Sequence, residues 1–372
     1  MDRKIRILFH IDELSAGGAE KVLCNLVNNM DRTKFDITVH TTYKCDARQF
    51  LRSGITYKYV FPGKTQPAQL KYRIENALGV FYSLHLKGDY DIEVAYLECG
   101  PTKVIAQSTN KKAVKLAWVH CDLKKRMGDD AAAFVVKTKG YYHKFDKVVC
   151  VSEDCKKSFE DLFGSEPEVL VVHYTIYSEE ILAKSKINSE GEVPEKKGFT
   201  LVTCGRLTKE KNFQMLLKCI QELNNDQVYL WIIGEGEEHQ NLQSYIDKNH
   251  LENRINLLGF HSNPYPILKK ADLYVCSSKY EGYSTAVIEA LLLGLPVITT
   301  KCAGMKEILG LSEYGLITDN DEQHFSEGLA EIISNPKLLQ KYQDKAKERG
   351  QDLSGRRAAQ ETEYLFEKMY RE

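Results

Sequence analysis

Short apolar runs alternate along the chain with segments in which apolar residues recur at helical spacing. Residues 5–9 form the first run, and residues 37–41 form a second one that is rich in β-branched side chains. Between them, apolar residues follow the period of an α-helix: Val22, Leu23, Leu26, Val27 and Met30. Strands that alternate with helices in this way are typical of a parallel sheet with crossover helices.

The alternation continues in two sets, separated by a polar stretch within residues 177–198. Further strands are predicted at 115–119, 148–151, 169–172, 199–204, 228–233, 255–258, 273–276 and 296–300, and helices at 212–223 and 285–293. The predicted fold class is therefore α/β, with two doubly wound, Rossmann-like domains. The predicted boundaries are 1–180 for the first domain, 181–198 for a linker, 199–353 for the second domain and 354–372 for a last helix, capped by Ser354.

Length and composition support this division and exclude several classes of protein. The 372 residues, 43% of them hydrophobic, suffice for two domains, each with its own core. A net charge of −1 provides no overall field to recruit nucleic acid. Ten cysteines without a C-x-x-C pair favour buried thiols in a reducing compartment over disulfides or a zinc site. We expect neither a signal peptide nor a transmembrane segment.

One stretch departs from the overall charge balance. Residues 101–147 hold eleven Lys and Arg against four acids, a local charge of +7. A solvated face would explain this run. The alternative is a patch that meets an anionic membrane surface or a diphosphate-bearing acceptor.

Candidate chemistry lies in the loops after strands, because ligands of doubly wound sheets bind beyond the carboxyl ends of the strands. Gly17 and Gly18 open the first helix and would let an anion approach the backbone. The G-x-G-x-x-G pattern is missing here, so dinucleotide binding is not predicted. Gly234 ends a later strand in a tight turn that could approach a nucleotide. A purely structural turn is the alternative in both places.

Two cations leave the loop that follows strand 199–204. Gly205 and Arg206 begin this loop, and Lys211 stands close to the start of the next helix. Positive side chains beside a helix N-terminus would stabilise a diphosphate leaving group. Surface charge near a helix cap is the alternative interpretation.

The loop after strand 273–276 has the most informative pattern. Glu281 precedes a helix that starts near Ser284, and Glu289 lies inside that helix among apolar neighbours. A buried acid needs a partner, which ribose hydroxyls would provide. Eight residues of helix would separate the two carboxyl groups by about 12 Å. Because glycosidase pairs lie at most about 9.5 Å apart, this spacing disfavours hydrolysis.

In the first domain, His120 ends strand 115–119 and is followed closely by Asp122. A hydrogen-bonded structural histidine beside an acid is one interpretation. The other is that His120 faces the cleft between the domains and touches a transferring sugar.

Together these loops resemble the retaining glycosyltransferases of family 4, in particular those of bacterial capsule and lipopolysaccharide synthesis. The most specific element is the pair Glu281 and Glu289, and the loops at Gly205 and Gly17 are also similar to that family. The resemblance covers nearly the whole chain. It implies the GT-B fold, in which two Rossmann-like domains face each other across a cleft and the last helix packs back on the first domain.

The resemblance also implies an activity. The enzyme would move a hexosyl group from a nucleoside diphosphate sugar, by base rate a UDP-sugar, to a saccharide or lipid-linked saccharide, with retention of configuration. It would need neither a metal nor a cofactor, and no nucleic acid would be a partner. It would work in the cytoplasm, as a peripheral protein at the inner face of the plasma membrane.

Particular residues acquire roles by the same resemblance. Arg206 and Lys211 would bind the donor diphosphate, Glu281 would hold the donor sugar, and His120 would contact it. The other donor-binding positions would be Gly17, Gly18, Gly205, Gly234, His261, Gly282, Tyr283, Ser284, Thr285 and Glu289. Two departures from the family pattern leave questions open, because the family often has asparagine at Tyr174 and glycine at Ser284.

Other functions remain open at this point. A nucleotide-sugar epimerase of similar fold would change the free donor without an acceptor. A non-catalytic nucleotide-sugar binding protein would bind the donor without turnover. A phosphorylase is disfavoured, because we find no segment that would place a lysine for pyridoxal phosphate.

Overall fold

The structure is a computed structural model, and it describes residues 3–14, 17–46, 50–174, 176–187, 193–353 and 357–372. The chain divides into two units. One unit is Met1–Thr175 together with Arg356–Glu372, and the other is Ile176–Gly355. Ser354, the predicted cap of the last helix, lies outside the described residues, as do residues 188–192 of the predicted linker.

The first unit is built on a sheet of parallel strands. These strands are β1 (Ile5–Ile11), β2 (Phe35–Tyr43), β3 (Thr56–Phe61), β4 (Ile92–Ala95), β5 (Val114–Val119), β6 (Lys147–Cys150) and β7 (Glu168–Val171). They lie in the order β3-β2-β1-β4-β5-β6-β7. The connecting helices are α1 (Gly18–Asn29), α2 (Gln66–Ala77), α3 (Phe81–His85), α4 (Gly100–Ala106), α5 (Leu123–Met127), α6 (Ala131–Tyr142) and α7 (Glu153–Phe163).

The second unit repeats the architecture. Its helices and strands are α8 (Ser178–Lys184), β8 (Phe199–Cys204), α9 (Phe213–Leu223), β9 (Val228–Ile233), α10 (His239–Lys248), β10 (Ile255–Gly259), α11 (Tyr265–Leu268), β11 (Leu273–Cys276), α12 (Thr285–Leu292), β12 (Val297–Thr300), α13 (Met305–Leu309), β13 (Leu316–Thr318), α14 (Glu322–Ser334) and α15 (Pro336–Asp352). The strands, again parallel, lie in the order β10-β9-β8-β11-β12-β13.

Each sheet has one point at which the strand order reverses direction. In the first unit it lies between β1 and β4, and in the second between β8 and β11. At such a point the two adjacent connections leave to opposite sides of the sheet, which opens a crevice at the carboxyl ends of the strands. The fold therefore designates the loops after these four strands as candidate ligand sites.

The core of the second unit explains why its strands were predictable. β9 and β11 are apolar runs, and β8 adds two buried threonines to its apolar residues. All three strands are buried on both faces, as is typical of parallel strands beneath crossover helices. Under the sheet, Leu217 and Ile220 of α9 pack in one cluster with Phe325 and Leu329 of α14. This packing fixes the strand ends from which the candidate loops leave.

The last helix, α16 (Arg357–Arg371), belongs to the first unit. Phe366 is fully buried and meets the ring of Phe9 edge to face, with ring centroids 5.9 Å apart. Nζ of Lys34 lies 2.7 Å from Oε1 of Glu367. The first unit is thus assembled from both ends of the sequence.

The boundary between the units differs from the predicted one. The first domain was predicted to end at residue 180, but the division falls after Thr175. Helix α8 belongs to the second unit, where Ile181 is buried and the carbonyl oxygen of Lys184 accepts a hydrogen bond from Nδ2 of Asn263 at 2.9 Å. The polar residues around Ile181 concealed this short amphipathic helix within the predicted linker.

Candidate active site

Most of the predicted donor-binding residues lie at the switch point of the second unit. Strands β8 and β11 are direct neighbours there, with Leu201 paired to Leu273 and Val202 paired to Tyr274. The loop after β8 begins at Gly205, and the loop after β11 leads to α12. Two loops that are distant in sequence therefore leave the same edge of the sheet side by side.

An ion pair joins these two loops. Nζ of Lys211 lies 2.6 Å from Oε1 of Glu281, and the hydroxyl of Ser278 donates to the same oxygen at 2.6 Å. The Glu281 side chain is only 13% exposed and that of Lys211 is 26% exposed, so the pair is largely shielded from water. Among the described residues, no donor hydrogen-bonds the second carboxylate oxygen, Oε2.

The ion pair keeps Lys211 charged. Burial alone would lower the pKa of the Lys211 ammonium, but the attraction of Glu281 outweighs this effect and raises the pKa above its ordinary value. A charged ammonium has three N–H donors, of which Glu281 uses one. Lys211 can therefore hold Glu281 and still bind an anionic ligand.

A network of buried hydrogen bonds fixes the loop that carries Glu281. The carbonyl oxygen of Ser278 accepts bonds from Oγ1 of Thr300 at 2.6 Å and from Sγ of Cys302 at 2.9 Å. Nδ2 of Asn320 donates to the carbonyl oxygens of Ser278 and Lys279, at 3.2 and 2.9 Å. The loop is thus held from β12 and from the segment after β13.

A second contact ties the two loops together from the other side. The hydroxyl of Ser277 donates to the carbonyl oxygen of Lys211 at 2.8 Å, and the N–H of Lys279 donates to that of Glu210 at 2.8 Å. These bonds involve backbone atoms, so they position Lys211 independently of its side chain.

Helix α12 begins where the sequence indicated. Ser284 is its N-cap, and the Ser284 hydroxyl accepts a hydrogen bond from the N–H of Val287 at 3.5 Å. Thr285 is the first helical residue, so its N–H is one of the groups without an intrahelical acceptor. Tyr283 is buried, and Glu289 is only 5% exposed on the apolar side of the helix. The helix start can receive an anion.

Two glycines allow neighbouring loops of this edge to approach each other. Gly234 follows β9 with a φ of +142°, and a Cβ at this position would collide with the carbonyl oxygen of Gly205. The N–H of Gly234 donates to the carbonyl oxygen of Gly259 at 2.8 Å. Gly234 is therefore required by the backbone itself, which supports the structural interpretation of this turn without excluding a ligand beside it.

Two predicted donor-binding residues stand apart from the ion pair. The Arg206 side chain is exposed, and among the described residues no acidic side chain pairs with it. His261 follows β10, and its Nε2 donates to the carbonyl oxygen of Leu258 at 3.1 Å. Arg206 is thus available to a ligand, whereas one nitrogen of His261 is already engaged by its own loop.

His120 lies at the carboxyl end of β5 in the first unit. Its Nδ1 lies 3.0 Å from the hydroxyl of Tyr174, and its backbone N–H donates to Oε1 of Glu98 at 2.6 Å. Burial lowers the pKa of His120 to about 4, so the ring is neutral at pH 7. Within the described residues, Nε2 is buried without a hydrogen-bond partner.

The acid beside His120 is not the one that the sequence suggested. Asp122 accepts hydrogen bonds from the N–H of Lys125 at 3.1 Å and from the hydroxyl of Ser158 at 2.7 Å, as the N-cap of α5. Glu98, which follows β4, takes the place next to His120. The Asp122 carboxylate is thus used as the cap of α5, and the acid that His120 contacts is Glu98.

Gly17 and Gly18 occupy the predicted helix start in the first unit. Gly17 is the N-cap of α1, and a Cβ at Gly17 would collide with the carboxylate of Glu20. Before this turn, Asp12 accepts hydrogen bonds from the hydroxyls of Thr42 and Tyr72, both at 3.1 Å. Glu20 thus lies over the first turn, where a negative charge is favourable.

Three residues of these networks escaped the sequence reasoning. Tyr174 lies in the segment that departed from the family pattern, and its hydroxyl positions His120. Glu98 follows a strand that was not predicted, and Asn320 follows the short strand β13. A polar residue two or three positions after a strand was the available signal for Glu98 and Asn320, but neither strand was predicted.

Cavities and side-chain clusters elsewhere point to no competing site. A cavity of about 580 Å³ lies along the edge strand β10 beside Val193 and Pro194. The described residues hold no group of three or more His, Cys, Asp or Glu placed to bind a metal ion. Within the same residues, no helix combines the length and the apolar character needed to cross a bilayer.

The second unit has a family match. Residues 184–349 match the family model of the group 1 glycosyl transferases. This segment includes every candidate residue of the second unit from Gly205 to Glu289. The ion pair and the start of α12 therefore lie inside the matched region.

Curated relatives extend the similarity. The chain is 30% identical over 210 residues to the N-acetylgalactosamine-N,N'-diacetylbacillosaminyl-diphospho-undecaprenol 4-alpha-N-acetylgalactosaminyltransferase of Campylobacter jejuni, covering 55% of this chain and 56% of that protein. It is 23% identical over 338 residues to the lipopolysaccharide core biosynthesis glycosyltransferase LpsD of Rhizobium meliloti, covering 90% of each. For three of the relatives the chain spans about half of their length, namely 56%, 43% and 57%.

Solved structures decide the fold. The chain superposes on Anabaena HepE in complex with UDP and glucose with a TM-score of 0.77, at 17% identity over 98% of this chain and 99% of that one. It superposes on sucrose-phosphate synthase of Thermosynechococcus elongatus with a TM-score of 0.82, at 15% identity over 99% of both chains. The chain has the GT-B fold. The predicted α/β class with two doubly wound, Rossmann-like units is confirmed.

Proposed function

We propose that this GT-B protein is a glycosyltransferase that moves a hexosyl group from a nucleoside diphosphate sugar to a saccharide acceptor. The observation that carries the proposal is the state of Glu281 at the switch point. One of its carboxylate oxygens is held by Lys211 and Ser278, and the other has no donor among the described residues. A carboxylate oxygen fixed in this way is suited to accept a hydrogen bond from a hydroxyl of a donor sugar.

The surrounding groups suit a diphosphate. Lys211 keeps its charge and has N–H donors to spare, while Arg206 is exposed on the same loop. The N-terminus of α12 adds backbone N–H groups and the positive end of the helix dipole. Glu289, buried in that helix, would accept hydrogen bonds from the ribose hydroxyls. The nucleotide would lie against Gly205, Gly234, Gly282 and Tyr283.

The mechanism that we propose is a same-face substitution with retention of configuration. The bond between the anomeric carbon and the diphosphate oxygen breaks, and Arg206 and Lys211 stabilise the charge that develops on the leaving diphosphate. The acceptor hydroxyl oxygen bonds to the anomeric carbon on the same face. Its proton passes to an oxygen of the leaving phosphate. No metal is assigned a part in this sequence of steps.

The donor and acceptor classes belong to the proposal. We propose a UDP-sugar as donor, in keeping with the UDP complex of the structural neighbour from Anabaena. We propose a lipid-linked saccharide as acceptor, in keeping with the diphospho-undecaprenol substrate in the name of the Campylobacter relative. The reaction would then take place in the cytoplasm, at the inner face of the plasma membrane, in the synthesis of a capsule or lipopolysaccharide.

A donor screen tests the proposal. The purified protein would be heated with UDP-glucose, UDP-galactose, UDP-N-acetylglucosamine, UDP-N-acetylgalactosamine or GDP-mannose in the presence of EDTA, and the release of UDP or GDP would be measured. We expect one donor to raise the unfolding temperature and to release its nucleotide slowly. Conversion of the free donor to an epimer would contradict the proposal, and so would binding without any release across a panel of acceptors.

A further inference from the structure

Helices α2 and α3 of the first unit expose a row of large apolar side chains. Leu70, Ile74 and Leu78 follow one another at intervals of four residues, so they lie on one face of α2. They are 60%, 50% and 71% exposed, and Val80 and Leu84 continue the row at 37% and 50%. These five residues are called the α2–α3 ridge below.

The ridge is not needed for packing within its own unit. The opposite side of these helices supplies the contacts with the core, where Phe81 and Tyr82 are buried. The Tyr72 ring packs edge to face on Phe81, with centroids 4.9 Å apart. Adjacent exposed apolar residues on one surface usually mark a site of interaction, since single exposed ones need no explanation.

The ridge is bordered by positive charge. Residues 64–87 contain Lys64, Lys71, Arg73 and Lys87, all exposed, and a single acid. That acid, Glu75, is mostly buried, and it lies 2.8 Å from Nε2 of His85 and 3.7 Å from Nζ of Lys71. Lys64 pairs with Glu13 at 2.7 Å, and Arg73 and Lys87 have no acidic partner among the described residues. An apolar face flanked by cations has the character of a helix that lies in the headgroup region of an anionic bilayer.

This charge distribution selects one occupant. A second copy of the chain, packed ridge to ridge, would bring Lys71 and Arg73 of both copies together, which is unfavourable. An anionic lipid surface complements the apolar residues and the cations together. We propose that the α2–α3 ridge and its flanking cations dock the first unit on an anionic membrane surface.

The basic stretch at 101–147 is less suited to this role. The structure describes all of its residues, and among them Val136 is the one large apolar side chain that is exposed. The docking itself does not require transferase activity. Its use, to bring the site to a lipid-linked acceptor, rests on the proposed function.

Vesicle flotation tests the docking with the full chain. The probes are vesicles of phosphatidylcholine with phosphatidylglycerol, and vesicles of phosphatidylcholine alone. The ridge variant is Leu70→Gln with Leu78→Gln. The matched control is Leu182→Gln with Leu311→Gln, two leucines of the other unit that are 42% and 86% exposed. A charge variant carries Lys71→Gln with Arg73→Gln.

We expect binding to the anionic vesicles only. The ridge variant should bind about 100-fold more weakly, since two leucine side chains leave the bilayer. The charge variant should bind about 30-fold more weakly, and the control should bind as the wild type does. Equal binding to both vesicle types, or a ridge variant that binds normally, would overturn the proposal.

Two further readouts separate the rival explanations. If the ridge variant changes the sedimentation mass of the protein but not its vesicle binding, the ridge is an interface between copies and the proposal is overturned. Nucleotide release from a soluble donor should be unchanged in all three variants. Vesicle binding that follows the ridge in a protein without any donor turnover would sustain the docking and refute the proposed function.

Discussion

Nζ of Lys211 and Oε1 of Glu281 lie 2.6 Å apart, although 70 positions separate the two residues in sequence. The contact exists because β8 and β11 are neighbours, so the loops that follow them share one edge of the sheet. The cation that we propose for the diphosphate and the acid that we propose for the donor sugar are thereby coupled. Changing either residue alone must affect both the stability of the site and the orientation of its partner.

This coupling is measurable by a double-mutant cycle. Lys211→Met and Glu281→Gln should each lower the free energy of unfolding by about 1–3 kcal/mol, because each leaves a largely buried partner behind. The free energy of unfolding of the double variant should fall by less than the sum of the two single losses, and the difference should be about 0.5 kcal/mol or more. Urea unfolding measures both quantities. The exposed pair Lys218 and Glu322, changed to Met and Gln, should cost under about 0.5 kcal/mol.

Arg206→Ala should remove turnover but not stability. The side chain is exposed and unpaired among the described residues, so the fold loses nothing. If Arg206 stabilises the leaving diphosphate, nucleotide release should fall about 100- to 1,000-fold. Lys209→Ala, an exposed cation of the same loop, is the control and should release nucleotide normally. Near-normal turnover by Arg206→Ala would refute the diphosphate role.

Asn320→Asp should impair the site from a distance. The substitution keeps the shape but removes the donors that hold the carbonyl oxygens of Ser278 and Lys279. The Glu281 loop should then shift, and kcat should fall about 10- to 100-fold. Asn335→Asp is the matched control, because Asn335 caps α15 and aspartate caps equally well. Steady-state kinetics compares the two, and equal kcat values would contradict the positioning role.

Gly234→Ala isolates the cost of the close approach between loops. Both Gly234 and Gly54 have positive φ, but only Gly234 lies against another backbone, that of Gly205. Gly54→Ala should cost about 1–2 kcal/mol for the backbone conformation alone. Gly234→Ala should cost about 1–3 kcal/mol more, because the carbonyl of Gly205 must move. Urea unfolding of both variants gives the difference, which would vanish if the loops separated freely.

The buried histidine makes stability depend on pH in a stated direction. The pKa of His120 is about 4 in the folded chain, against an ordinary value of about 6.5 when unfolded. Between these values the unfolded chain binds a proton that the folded chain does not. The free energy of unfolding should therefore fall as the pH decreases from about 6.5 to about 4.

His120→Gln should flatten this dependence, by up to about 1.4 kcal/mol per pH unit. His324→Gln is the control, since Asp321 raises the pKa of His324 and its effect lies at higher pH. Urea unfolding across the pH range measures both slopes. An unchanged slope in His120→Gln would show that the ring takes up a proton in the folded state.

Prediction of the strands succeeded where burial dictated the residue types. Strands 199–204, 228–233 and 273–276 were predicted to the residue, because each is rich in apolar and β-branched residues. β4 was missed because Glu93 stands in its middle. Glu93 is nevertheless fully buried, and it accepts hydrogen bonds from Tyr82 and Asn110. No local pattern reveals partners that approach only after folding.

The site was predictable as a set of residues but not as a network. A polar loop before a helix start identified Glu281 and Ser284 because strand-to-helix loops bear ligands in this architecture. The pairing of Glu281 with Lys211 depends on strand order, which the sequence does not display. The contact between Tyr174 and His120 also depends on strand order, since Tyr174 follows β7 and His120 follows β5.

The return of α16 to the first unit sets an order of events during synthesis. The ribosome synthesises the whole of Ile176–Gly355 before it reaches Phe366. The Phe366 ring packs on Phe9, and its centroid lies 6.5 Å from that of the Phe35 ring. The second unit is continuous in sequence and can complete its core while the first unit still lacks helix α16. During that interval the apolar surface around Phe9 is open to water and to chaperones. Phe9 of strand β1, which is synthesised before α16, therefore becomes fully buried only after α16 has been synthesised.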